Sequence, residues 1–206
     1  MKRFWIIFVG LVALLALLLV GLGFFFGVFS PVRITKQVRG PYLMVSMLHR
    51  GAYHRVSEKI EKVGTMLDEM KIPKIIPCAL FYDDPGDVSL GNLRSEGGYL
   101  VDQQFSLEHP FRQREIPKRS VIVATIKAHP LVAPFRTYSK IVEFMKMHHL
   151  KSMSPAFERY LPGGIVEVEM PFQSPELDLL HQTIKSMAIP RQSGKKKRGE
   201  NDGSGR

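Results

Sequence analysis

From Phe4 to Phe29 the chain carries no charged residue, and every side chain in the stretch is apolar or glycine. The run is about 26 residues long, and about 20 suffice to cross a bilayer as a helix. A soluble helix of that length normally shows a polar stripe, and none is present here. Lys2 and Arg3 precede the run; Pro31, Arg33, Lys36 and Arg39 follow it. The competing reading is a cleaved signal peptide. Such peptides have apolar cores of roughly 7–15 residues and end at a small-x-small site. Val28-Phe29-Ser30 fits that pattern only loosely, and Pro31 would sit just after the cut. The expectation is therefore a retained membrane anchor over residues 4–29.

The remainder of the 206 residues is long enough for one domain with its own core. The carboxyl end contributes much of the formal net charge of +10: there Arg191, Lys195, Lys196, Lys197, Arg198 and Arg206 face only Glu200 and Asp202. Residues 191–206 thus read as a basic, disordered tail. A lone cysteine, Cys78, excludes an internal disulfide and a multi-cysteine metal site.

Residues 34–48 are rich in strand formers. Val56, Ile60, Val63, Met66, Leu67 and Met70 then recur at helical spacing between charged residues, which predicts an amphipathic helix. Strands are expected over 75–82 and 99–105, around the turn signal Asp83-Asp84-Pro85-Gly86. The second half repeats the order: a strand over 120–128, a helix marked by Phe135, Tyr138, Ile141, Val142 and Met145, and strands over 155–160 and 165–170. Tyr82 follows Tyr53 by 29 residues, and Tyr160 follows His129 by 31. Aligning the halves on Tyr82 and Tyr160 pairs Leu80 with Glu158. Each post-helix strand has its own hairpin partner. The fold class is thus α+β, built from duplicated β-α-β-β units with mainly antiparallel sheets. Residues 176–190 could add a short last helix. Arg112, Arg114, Lys118 and Arg119 read as a solvated connection between the halves rather than a nucleic-acid site. His129, His148 and His149 do not assemble into a metal-ligand set.

Four ordered stretches resemble the GyrI-like small-molecule-binding domain, the effector-binding domain of multidrug-responsive regulators. They are His49-Arg-Gly-Ala-Tyr53, Phe81-Tyr-Asp-Asp-Pro85, Ile116-Pro117 and Pro155-Ala-Phe-Glu-Arg-Tyr160, and the likeness covers residues 35–171. It implies two pseudo-twofold units with a ligand cleft between them, within a domain spanning 31–175. Regulators of this kind carry a DNA-binding module ahead of the domain. Here the apolar segment takes its place, and no helix-turn-helix pattern is visible. The layout is also similar to that of a membrane-anchored autophagy receptor of the endoplasmic reticulum. The recruiting aromatic motif of such receptors has no counterpart after Phe172.

The resemblance implies that Glu158 faces the cleft and pairs with cationic, lipophilic ligands. A buried carboxylate in an aromatic wall has lost water and favours a cation that neutralises it. The alternative is a solvated strand glutamate paired with Arg159. Tyr160, two residues on, shares the strand face of Glu158. Tyr82 and Tyr53 complete the candidate set, with core packing the competing reading for Tyr82. The expected function is binding of a small cationic or amphiphilic molecule by a membrane-anchored domain, without a cofactor or metal. A Glu158–Tyr160 hydrolase acting on strained rings is one alternative; a protein-interaction module at the membrane, its partner unspecified, is another. The charges flanking the anchor are nearly balanced, and the domain is read as lying outside the cytoplasm.

Overall fold

The computed structural model describes residues 2–173, so the helix expected over 176–190 and the basic tail over 191–206 lie outside the described residues. Helix α1 (Lys2–Phe25) is long and apolar enough to cross a membrane, and none of its residues is buried. The chain leaving it is not slack. The His129 N–H donates to the Phe26 carbonyl at 3.1 Å. The Arg136 guanidinium donates to the carbonyls of Val28 and Ser30.

Strands β1 (Arg33–Arg39), β2 (Tyr42–Arg50), β3 (Pro77–Phe81), β4 (Arg94–Val101), β5 (Arg112–Ile116), β6 (Arg119–Lys127), β8 (Ala156–Leu161) and β9 (Ile165–Gln173) form one antiparallel sheet, ordered β1-β6-β9-β8-β3-β4-β2-β5. The two-residue β7 (Lys151–Ser152) pairs with β9 off this path. The duplicated α+β architecture is as the sequence implies. Helix α2 (Val56–Glu69) follows β2, and helix α3 (Ala133–Met147) follows β6.

Three local expectations are corrected. Residues 34–48 are two strands, because Gly40 takes a φ of +89° and Pro41 has no N–H to extend a ladder. The break sends β1 to one edge beside β6, while β2 lies between β4 and β5. The strand expected over 99–105 starts earlier, at Arg94, and ends at Val101. The supposed basic connection contains β5, with Met44 opposite Arg114 and Tyr42 opposite Ile116.

The halves meet at β3 and β8, where Ala79 lies opposite Glu158 and Leu80 opposite Phe157. Directly opposed residues share a sheet face, and a slip of one residue changes face. The alignment of Leu80 with Glu158 therefore fails as a match of faces: Leu80 shares its face with Phe157, and Glu158 points the other way.

Both helices cover one face. α2 packs Val63 and Leu67 on Val45 and Val101. α3 packs Ile141 and Met145 on Ile122, Ala124 and Val168. Between the helices, over β3 and β8, runs a seam of Val56, Ala79, Phe81 and Ala156 with Tyr53, Ile60, Tyr138 and Tyr160. The opposite face has its own core of Met44, Cys78, Leu80, Leu100, Ile116 and Phe157. There the sheet curls enough for Tyr42 of β2 to stack 5.6 Å from Phe157 of β8 and to donate to Glu169 of β9 at 2.9 Å.

Candidate functional site

The centre of the seam is Glu158, 3 % exposed. β8 delivers it, and strand alternation puts Tyr160 beside it. The Tyr160 hydroxyl donates to Oε2 at 2.9 Å. The Tyr138 hydroxyl of α3 also stands near this carboxyl and favours its anionic form. Among the described residues no Lys, Arg or His pairs with this carboxyl. Arg159, the partner weighed for it, lies on the other face and pairs with Glu167 and with Glu169 at 3.1 Å.

Burial raises the Glu158 carboxyl to about 7, against the Tyr160 hydrogen bond and the nearby Tyr138 hydroxyl, which favour the anion. The same burial, reinforced by the adjacent Glu158 charge, holds the Tyr138 and Tyr160 hydroxyls well above the ordinary tyrosine range. Both therefore donate at any physiological pH.

Tyr53 joins the same cluster from the turn of 3-10 helix ahead of α2. Its ring meets Phe81 edge-on with centroids 4.7 Å apart. Its hydroxyl donates to the Asp83 carbonyl at 2.7 Å and accepts from the Asp83 N–H at 3.0 Å. Asp83 is thus more than a turn residue: it ties the β3 exit to Tyr53, and its carboxylate forks onto Arg94 at 2.7 Å. The seam thus holds one buried acid, bonded by Tyr160, in the same layer as an aromatic cluster of Tyr53, Phe81, Tyr138 and Tyr160.

A family model described as the GyrI-like small molecule binding domain matches residues 34–170. The chain belongs to the GyrI-like family.

Solved structures agree in fold. The GyrI-like domain here is similar to the EcmrR C-terminal domain, with 12 % identity and a TM-score of 0.57 over 70 % of this chain and 98 % of that one. It is similar to EcmrR in a DNA complex at 13 % identity and a TM-score of 0.60, over 69 % of this chain but only 58 % of that one. It also resembles SAV2435 bound to tetraphenylphosphonium, at 14 % identity and a TM-score of 0.52, over 72 % of this chain and 99 % of that one. Comparison with curated proteins finds no match.

Tyr82 does not join the seam of this GyrI-like domain. It lies one residue beyond β3 and turns to the helix-free face, where its hydroxyl donates to Glu96 Oε1 at 2.9 Å. Arg114 donates to the same hydroxyl at 2.6 Å, and Ser46 donates to Glu96 Oε2 at 2.7 Å. Two residues of the seam escaped the sequence reading as site members. Tyr138 was visible only as a helix marker. Phe81 sits in a recognised stretch, but only the strand register shows that it shares a face with Glu158.

Proposed function

We propose that the domain binds a small amphiphilic cation against Glu158, in the seam between α2 and α3, and that α1 anchors it to a membrane with the domain outside the cytoplasm. One observation carries the reading: a buried carboxyl with no cationic partner among the described residues, bonded by Tyr160 in a seam that holds four aromatic side chains. An unpaired buried acid is costly, so a cation that replaces its lost water is favoured. The aromatic faces add cation–π attraction of roughly 0.5–2 kcal/mol. A protein of similar fold, SAV2435, is bound to tetraphenylphosphonium, a cation of this chemistry.

The seam is closed around Glu158, so a guest enters by parting the aromatic wall. Binding draws the carboxyl to its anionic form. Affinity for tetraphenylphosphonium should therefore rise as pH increases through about 7, with a proton released on binding. Isothermal titration in buffers of different ionisation enthalpy measures both effects. Glu158→Gln should weaken binding by about 2–5 kcal/mol and abolish the proton release. Equal affinity of wild type and variant at pH 8 would remove Glu158 from the site.

The same carboxyl, poised near neutrality beside the Tyr160 hydroxyl, has the proton affinity of a general acid or base. Hydrolysis of strained-ring compounds is the second reading. Turnover that survives Glu158→Gln and Tyr160→Phe would sink it.

A further inference from the structure

We propose that the helix-free face carries a second binding site, for an apolar molecule bearing a single anionic group such as a carboxylate. A cleft of about 330 Å³ opens there, walled by Leu80, Ile116, Met153 and Pro171, with Arg114 and Arg119 beside them. Glu115 also borders it and is exposed to water.

The ion pairs of this face are unequal. Arg114 reaches Glu96 at 3.3 Å. Arg159 reaches Glu167 and Glu169, while Arg39 comes only within 3.7 Å of Glu167. Arg119 comes only within 3.8 Å of Glu169, beyond hydrogen-bond reach. Arg39 and Arg119 are thus the two guanidiniums of this set without a carboxylate in hydrogen-bond reach, and of the two Arg119 borders the cleft.

Its surroundings make that costly. The Arg119 side chain is 16 % exposed, with Phe157 5.8 Å beneath the guanidinium. Its Nε and Nη2 are buried without a hydrogen-bond partner among the described residues. Nη2 faces Glu169 Oε2, itself unpartnered, at 3.8 Å, whereas Nε has no acceptor of its own; buried donors are almost always satisfied, so the guanidinium is under-bonded. A carboxylate matches the guanidinium fork. The apolar walls select an acid with a hydrophobic body over an inorganic ion.

A bilayer does not supply this ligand. Arg119 opens β6, whereas Lys127, its last residue, touches the segment leaving α1 at Gly27. Eight residue steps of strand separate the two ends, roughly 27 Å. The fitting ligand is a water-borne acid, with charge preference opposite to that proposed for the Glu158 seam.

The test is fluorine NMR titration of 4-(trifluoromethyl)benzoate into the full chain in lipid nanodiscs, with empty nanodiscs as control. Saturable binding is expected. It should weaken at least tenfold in Arg119→Gln, recover in part in Arg119→Lys, and stay unchanged in Glu158→Gln. The neutral 4-(trifluoromethyl)benzamide should bind at least tenfold more weakly, and tetraphenylphosphonium should not displace the acid. Circular dichroism melts confirm that each variant unfolds cooperatively; should Arg119→Gln fail to fold, Arg119→Lys and the benzamide decide. No saturable binding by wild type, equal binding of acid and amide, or full affinity in a folded Arg119→Gln overturns the proposal. Displacement by tetraphenylphosphonium also overturns it, because the acid would then occupy the Glu158 seam. Failure of the cation reading alone would leave these results unchanged.

Discussion

At Glu158 burial and hydrogen bonding pull in opposite directions, and burial wins, leaving the folded-state carboxyl near 7 against an ordinary 4.5. Between those values the folded protein binds a proton that the unfolded chain releases. Stability from this group is therefore full below about 4.5 and is lost as pH rises through about 7. The difference is on the order of 3 kcal/mol. Urea denaturation between pH 5 and 8 should show wild-type stability falling with pH and Glu158→Gln falling less. Glu169, also raised by burial, pushes the same way in both proteins, so the difference between them isolates Glu158. A parallel pair of curves would contradict the buried carboxyl. That Glu158 and Tyr160 share a strand face was legible in the sequence, because alternation alone puts them together. Glu169 was not: Val166-Glu167-Val168-Glu169 reads as one buried and one wet face. The sheet curls and buries Glu169 beneath Tyr42, a contact between strands far apart in the sheet that no local pattern encodes.

Among the elements, α2 owes its seat to Gly97 of β4. A Cβ there would meet the Val56 carbonyl oxygen at 2.8 Å and Ile60 Cγ1 at 3.0 Å. Gly97→Ala should lift the start of the helix from the sheet and cost about 1–3 kcal/mol in chemical denaturation. Gly91→Ala, with nothing within 4 Å of the added carbon, serves as the control and should stay within about 0.5 kcal/mol of wild type. α2 and β6 were legible because their apolar spacing is clean and their buried side chains follow it. β5 was hidden because Arg112-Gln113-Arg114-Glu115-Ile116 is an edge strand burying only its last residue. Tyr82 was misplaced for a related reason: spacing between motifs does not fix parity, and parity decides which face a strand residue takes.

For the whole molecule, the apolar helix and the domain are joined by contacts as well as by covalent chain. Truncation at residue 31 should leave a domain that still folds, since α1 buries none of its residues. It frees Arg136 from two carbonyls and strips Phe26 from the His129 ring 5.5 Å away. A loss of about 1–2 kcal/mol relative to the full chain is expected, read by hydrogen exchange at the start of α3. Aggregation of the truncated protein would instead make the helix part of the fold. Arg136 and Tyr138 stand two residues apart on α3 and so project from nearly opposite sides of it. One grips the stem and the other the acid in the seam, which makes α3 a lever with a load at each side. A guest that enters by swinging α3 outward must work against that grip and deliver torque to the stem. A guest that enters by moving α2 delivers none, so the route of entry decides whether occupancy is felt where the chain leaves the domain.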